Sequence, residues 1–157
     1  NRATEAFCGR FLVGDMSKGA MIDALAAHEV KVDSRAMEVL RHPAFTVSSE
    51  VRELSLAIRS PVDLSFTREP RYGALVKRAK QNGLLLCSIE VAIKIALMQH
   101  PGFIATYHVA MEGIPIAEGR SGLLVRFGYN GGVLLGTYYA RPGCSRQSHE
   151  KFVFTMA

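Results

Sequence analysis

The chain has 157 residues, a net charge of +5, and 48% hydrophobic against 21% charged residues, with a mean hydropathy of +0.12. Such a length suits one ordinary domain that buries roughly 70% of its unfolded surface, and the composition excludes a disordered chain. The longest apolar stretch, Val91 to Met98, is broken by Lys94 and falls far short of the roughly 20 residues a membrane-spanning helix requires.

The first twelve residues carry Arg2, Glu5 and Arg10, so a retained secretory signal is not expected. Cys8, Cys87 and Cys144 lie far apart with no CxxC spacing, which argues against a disulfide framework or a zinc knuckle and points to a reducing, cytoplasmic setting.

Taken in chain order, Ser17 to His28 reads as a helix, with Ser17 as its cap and Ala20, Met21, Ala24 and Leu25 near helical spacing. Asp33 precedes a second helix over Ser34 to His42, stopped by Pro43. Ser48 or Ser49 would cap a third, running to Ile58 with Val51, Leu54, Ala57 and Ile58 as its apolar stripe, and Ser60-Pro61 would end it. The stretch from Ser60 to Asp63 is the candidate hinge. A fourth helix spans roughly Glu69 to Asn82, with Pro70 in its first turn and Asn82-Gly83 as its stop, and a fifth runs from Ile89 to Gln99 behind Ser88.

After Gly102 the period changes from about 3.6 to 2. Phe103 to Met111, Leu123 to Tyr129, Val133 to Ala140 and Lys151 to Met156 read as strands, rich in β-branched and aromatic residues. Asn130-Gly131 marks a tight hairpin, and Ile114 to Ala117 reads as a short edge strand because Pro115 cannot donate to a ladder.

From Asp63 onward the chain resembles a group of small uncharacterised bacterial proteins. The resemblance rests on Leu64-Ser65-Phe66-Thr67, the helix ending Arg78-Ala79, the run Gly83 to Val91 with its Leu-x-Leu-Cys-x-x-Glu-Val core, Ala110 to Ile114, and Phe152-Val153-Phe154. Ser88 and Gly113 stand where those proteins have Pro. Members are sometimes labelled as helicases, yet this chain has no GxxxxGK[ST] phosphate loop. The resemblance implies no activity; it implies that residues 1–62 are a helical addition to an α+β unit at 63–157, within a single compact domain.

Cys144, followed by His149 and Glu150, is the only nucleophile with a base nearby in sequence, and a thiolate paired with an imidazole can attack a carbonyl. The bland alternative is a polar loop between two strands. Cys87 sits in an apolar run, where a thiol behaves as a small buried hydrophobe. Glu90 suits the positive end of the fifth helix, and Glu112 a turn. His28, His42 and His100 fall at helix ends and no histidine has metal-ligand spacing, so no metal or cofactor is expected. His108 is expected on the polar face of its strand, where Arg126 and Tyr138 would make it a small binding surface.

Residues 1–67 hold eight basic against nine acidic side chains, and residues 68–157 hold eleven against five. Arg71, Lys77, Arg78 and Lys80 are the densest cluster, and with Arg126 they would form a phosphate-binding surface, Tyr138 or Tyr139 supplying stacking for single strands. The expectation is therefore an α+β domain, about five helices covering one face of a four- to five-stranded antiparallel sheet. Its function is expected to be non-catalytic binding of a protein partner or a second copy of itself, followed by nucleic-acid binding and then a cysteine-dependent enzyme.

Overall fold

A computed structural model describes residues 11–98, 106–116, 120–129, 132–139 and 149–156. Within them the chain forms four α-helices, α1 (Lys18–Ala27), α2 (Ser34–Arg41), α3 (Tyr72–Gln81) and α4 (Ile89–Leu97), and ten strands. The strands are β1 (Phe11–Val13), β2 (Lys31–Val32), β3 (Arg52–Leu54), β4 (Leu56–Arg59), β5 (Leu84–Leu85), β6 (Tyr107–Val109), β7 (Ile114–Ile116), β8 (Arg120–Tyr129), β9 (Gly132–Tyr139) and β10 (Phe152–Met156). None of the helices is long and apolar enough to cross a membrane.

The helix starts follow from local chemistry. The Ser17 hydroxyl accepts the Ala20 amide, the Asp33 carboxylate accepts that of Ala36, and the Ser88 hydroxyl accepts that of Val91. Helix α3 begins two residues beyond Pro70, with Arg71 at its cap and no side-chain bond there; it ends at Asn82, and Gly83 takes φ +80°, the left-handed stop expected of a glycine.

The third expected helix does not exist. Residues 52–59 are extended: β3 pairs with β1, and β4 pairs with β10 over Leu56 to Arg59. Leu56, Ala57 and Ile58 are all buried, so this strand is covered on both faces, and a short strand of that kind carries the same unbroken apolar run as a buried helix segment. Its true partner lies about ninety residues away, beyond the reach of local periodicity. Four helices therefore replace the five expected.

The sheet is also larger than the four or five strands expected. Eight strands join in the order β2-β9-β8-β6-β10-β4, with β5 on β10 and β7 on β8; most pairs are antiparallel, while β2–β9 and β6–β10 are parallel. Among the described residues β7, with Pro115, pairs only with β8. β8 and β9 pair from Gly122–Tyr139 to Tyr129–Gly132; Asn130 and Gly131 lie outside the described residues.

Helices cover both faces rather than one. Alternation along β8 puts Gly122, Leu124 and Arg126 on one face, where α2 and α4 pack: Val39 lies against Gly122, and Arg126 bonds the carbonyl of Met98 at the end of α4. Leu123 and Val125 face the other way with their cross-strand partners Tyr138 and His108, and Tyr72 of α3 packs there against Tyr138 and Phe152. The Tyr72 hydroxyl donates to the Met111 carbonyl at 2.7 Å and accepts the Met111 amide at 3.1 Å, tying α3 to the segment after β6.

Candidate functional site

The sequence-derived sites come apart in the structure. His108 and Tyr138 do share a face, their rings 4.7 Å apart and edge-on, with Phe152 5.2 Å from His108 and Glu150 3.8 Å from its Nε2. This cluster is packed beneath α3. The Tyr138 hydroxyl donates to the Val109 carbonyl, so its ring is a structural element rather than a free stacking platform. The side chain of Tyr139, and Cys8, His100 and Cys144, lie outside the described residues; His149 is exposed.

Arg126 is a correction. It was expected with His108 and Tyr138 on a binding surface, but it occupies the opposite face, 1% exposed, opposite Tyr107 on β6 and bonded to Met98. Burial holds its guanidinium below the usual range and pushes the Tyr107 phenol up. Arg126 alternates with Val125 and Phe127 along β8, and the register that sets it opposite Tyr107 rather than His108 is a cross-strand property that alternation within one strand does not give.

The basic cluster is divided. Arg71, Lys77 and Lys80 are exposed, whereas Arg78 donates to the Leu64 carbonyl at 2.7 Å and stacks 4.2 Å from the Phe66 ring centre. Cys87 is buried, its Sγ against the Val153 carbonyl, and burial raises its thiol far above the usual range, as expected of a structural cysteine. The His42 ring accepts the Ala44 amide at a helix end, and no cluster of metal-ligating side chains occurs among the described residues.

The residue that sequence reasoning undervalued is Glu90. Its place in the first turn of α4 suits the positive end of that helix, yet one carboxylate oxygen accepts the Gly14 amide at 2.6 Å and the other the Ser48 amide at 3.0 Å. A carboxylate that is 2% exposed is tolerable there because two amides and the helix N-terminus solvate it. Four residues on, Lys94 binds Asp15 at 2.5 Å, so one face of α4 grips both Gly14 and Asp15.

These contacts build an open cleft of about 550 Å³. Val13, Arg52 and Leu54, from one face of the β1–β3 ribbon, line it together with residues 46–50 and with Ser88 and Glu90. The Ser48 hydroxyl donates to the Glu50 carbonyl at 2.7 Å, and a Cβ on Gly14 would stand 2.1 Å from that same oxygen. Gly14, at φ +81°, is thus the residue that lets the two segments close on each other.

Beside the cleft runs an open strand edge. Among the described residues β3 pairs only with β1. Glu50, Val51, Arg52, Glu53 and Ser55 are all exposed, and Val51, at 63%, is the most exposed large hydrophobic residue of the described chain. Among the described residues the other edge strands differ from it: β4 is buried, β2 has two residues, β7 contains Pro115, and β1, the second strand of the ribbon, buries Phe11 and Val13. Searches against protein-family models, curated proteins and solved structures give no match for this chain.

Proposed function

We propose that this chain is a non-catalytic protein-binding module that receives an extended polypeptide segment along β3 and the adjoining cleft. The observation that supports it is the coincidence of an exposed strand edge, centred on Val51, with a cleft whose far wall is main chain held by Glu90. Main-chain groups along a strand edge bind another strand without regard to sequence, and neighbouring side-chain pockets add selectivity. Here Leu54 and Val13 offer an apolar seat, while Glu50 and Arg52 offer one charge of each sign. The cleft volume falls within the range of specific binding sites.

Nucleic-acid binding is the weaker reading, since two of the five arginine and lysine side chains it requires, Arg78 and Arg126, are spent inside the fold. Catalysis at His108 is disfavoured by the packing of its ring against Tyr138 and Phe152 under α3, while Cys144, the nucleophile of the cysteine-dependent reading, lies outside the described residues.

The test is selection of extended peptides from a random display library on the immobilised protein, followed by amide hydrogen exchange of the complex. Protection centred on Val51 to Leu54, and loss of binding in Val51→Pro, are the expected results. A library that yields no binder, or protection concentrated at Lys77 and Lys80, would overturn the reading.

A further inference from the structure

We infer that the β1–β3 ribbon, together with the 46–50 loop, is an acid-released flap: Glu90 and Lys94 latch it onto α4, and protonation of the latching carboxylates loosens it while the eight-stranded sheet stays intact. The inference holds whatever occupies the cleft.

The ribbon stands apart in the ladder pattern. Among the described residues β1 and β3 form a two-stranded sheet of their own, three residue pairs long, and share no ladder with the eight-stranded sheet. A ribbon that short is not stable unaided. Phe11 and Val13 bury their side chains against the core, but apolar contact is non-directional and does not fix how the ribbon is seated. The seating comes from α4. Glu90 takes the amide of Gly14, at the end of β1, and that of Ser48, in the loop before β3; Lys94, one turn on, bonds Asp15. Beyond Leu54 the Ser55 carbonyl accepts the Met156 amide, which pins the far end of the flap to the large sheet and makes Ser55 its hinge.

Both ties depend on a carboxylate charge. A protonated Glu90 turns one acceptor oxygen into a hydroxyl that needs an acceptor of its own, opposite an amide that also donates, and the charge that strengthened both bonds is gone. The Asp15 carboxyl, held below its usual range by the Lys94 bond, works in the same sense: its contribution is present at neutral pH and is lost as pH falls. The other charged groups at the latch are Glu50 and Arg52, which line the same cleft with opposite signs. The large sheet responds differently, because its ladders are main-chain bonds that do not titrate. Asp33 at the start of α2 and Glu150 beside His108 each act at a single point around it.

Amide hydrogen exchange followed by NMR through the carboxylate range, from neutral pH to roughly pH 3, tests this, with each rate corrected for the intrinsic effect of pH. In the wild type the Gly14 and Ser48 amide resonances are expected to move together with one midpoint. Protection at Gly14, at Ser48 and along β1 and β3 should fall at least tenfold while the β8–β9 amides keep theirs. Glu90→Gln should show the same loss at neutral pH, with no further pH dependence at Gly14 and Ser48, and Lys94→Met should show a smaller one centred on Asp15. Ribbon protection that disappears only together with that of β8 and β9 overturns the inference, as does a folded Glu90→Gln whose ribbon is as protected as the wild type's. If Glu90→Gln does not fold, the wild-type pH series decides alone.

Discussion

The Glu90 carboxylate accepts the Gly14 amide at 2.6 Å across 76 residues of chain, and through its second oxygen holds Ser48 as well. One side chain in the first turn of α4 therefore sets the separation of the cleft's two walls. Glu90→Gln replaces one acceptor oxygen with an NH2 that faces an amide donor. A buried donor left without a partner costs about 1–3 kcal/mol, and charge-assisted bonds lie at the upper end. We expect urea denaturation of Glu90→Gln to show a loss of about 2–3 kcal/mol, with Glu90→Ala at least as severe.

Gly14→Ala is expected to be severe for a separate reason. Its Cβ would collide with the Glu50 carbonyl, a main-chain atom, in a conformation that side chains rarely adopt. Gly19 provides the contrast, since it sits in α1 with open space around it. Gly19→Ala should stabilise the fold by up to about 1 kcal/mol through helix propensity, while Gly14→Ala destabilises it by about 2 kcal/mol or more. Thermal unfolding of the two variants side by side checks both signs.

The two roles within the basic helix separate by mutation. Arg78→Ala removes a bond to the Leu64 carbonyl and a stacking contact on Phe66, and should cost about 1–2 kcal/mol of stability. The triple variant Arg71→Ala/Lys77→Ala/Lys80→Ala should unfold within about 0.5 kcal/mol of the wild type. Fluorescence anisotropy with labelled single- and double-stranded oligonucleotides is expected to show no binding at moderate salt. Binding that falls with salt and is lost in the triple variant would instead favour the nucleic-acid reading.

The Asp15–Lys94 pair confers a pH dependence of known sign. The hydrogen bond from Lys94 holds the Asp15 carboxyl below its ordinary 3.8, outweighing the opposing effect of burial. A pKa depressed in the folded state contributes stability that is present above the unfolded value and is lost as pH falls through the folded one. The pair is partly exposed, so the contribution is no more than about 1 kcal/mol. NMR titration of Asp15 should show a midpoint below 3.8 that rises in Lys94→Met, and the stability difference between the two proteins should vanish in strong acid.

The division between what was legible in sequence and what was not follows the range of the interactions. The starts of α1, α2 and α4, the end of α3, the edge placement of β7 and the long β8–β9 pair were all readable, because Ser17, Asp33, Ser88, Gly83 and Pro115 act on atoms within a few residues of themselves. Residues 52–59 were misread as helix because their partners, β1 and β10, are set by contacts that no local period encodes. Arg126 was misplaced for a related reason: alternation assigns the two faces within β8, but which of them His108 of β6 shares is set by the Tyr107–Arg126 register between strands.

Glu90 shows the same limit at the site. Composition and spacing identified a helix-start carboxylate, which fits the positive end of α4. Only the packing of the β1–α1 turn and the 46–50 loop onto that end converted it into the anchor of a cleft. By itself the sequence determined the chain's local starts, stops and strand alternation, since each is decided by neighbours along the backbone. The tertiary structure alone decided the buried arginine, the eight-stranded sheet and the exposed edge at Val51, because burial and strand pairing join residues far apart in the chain.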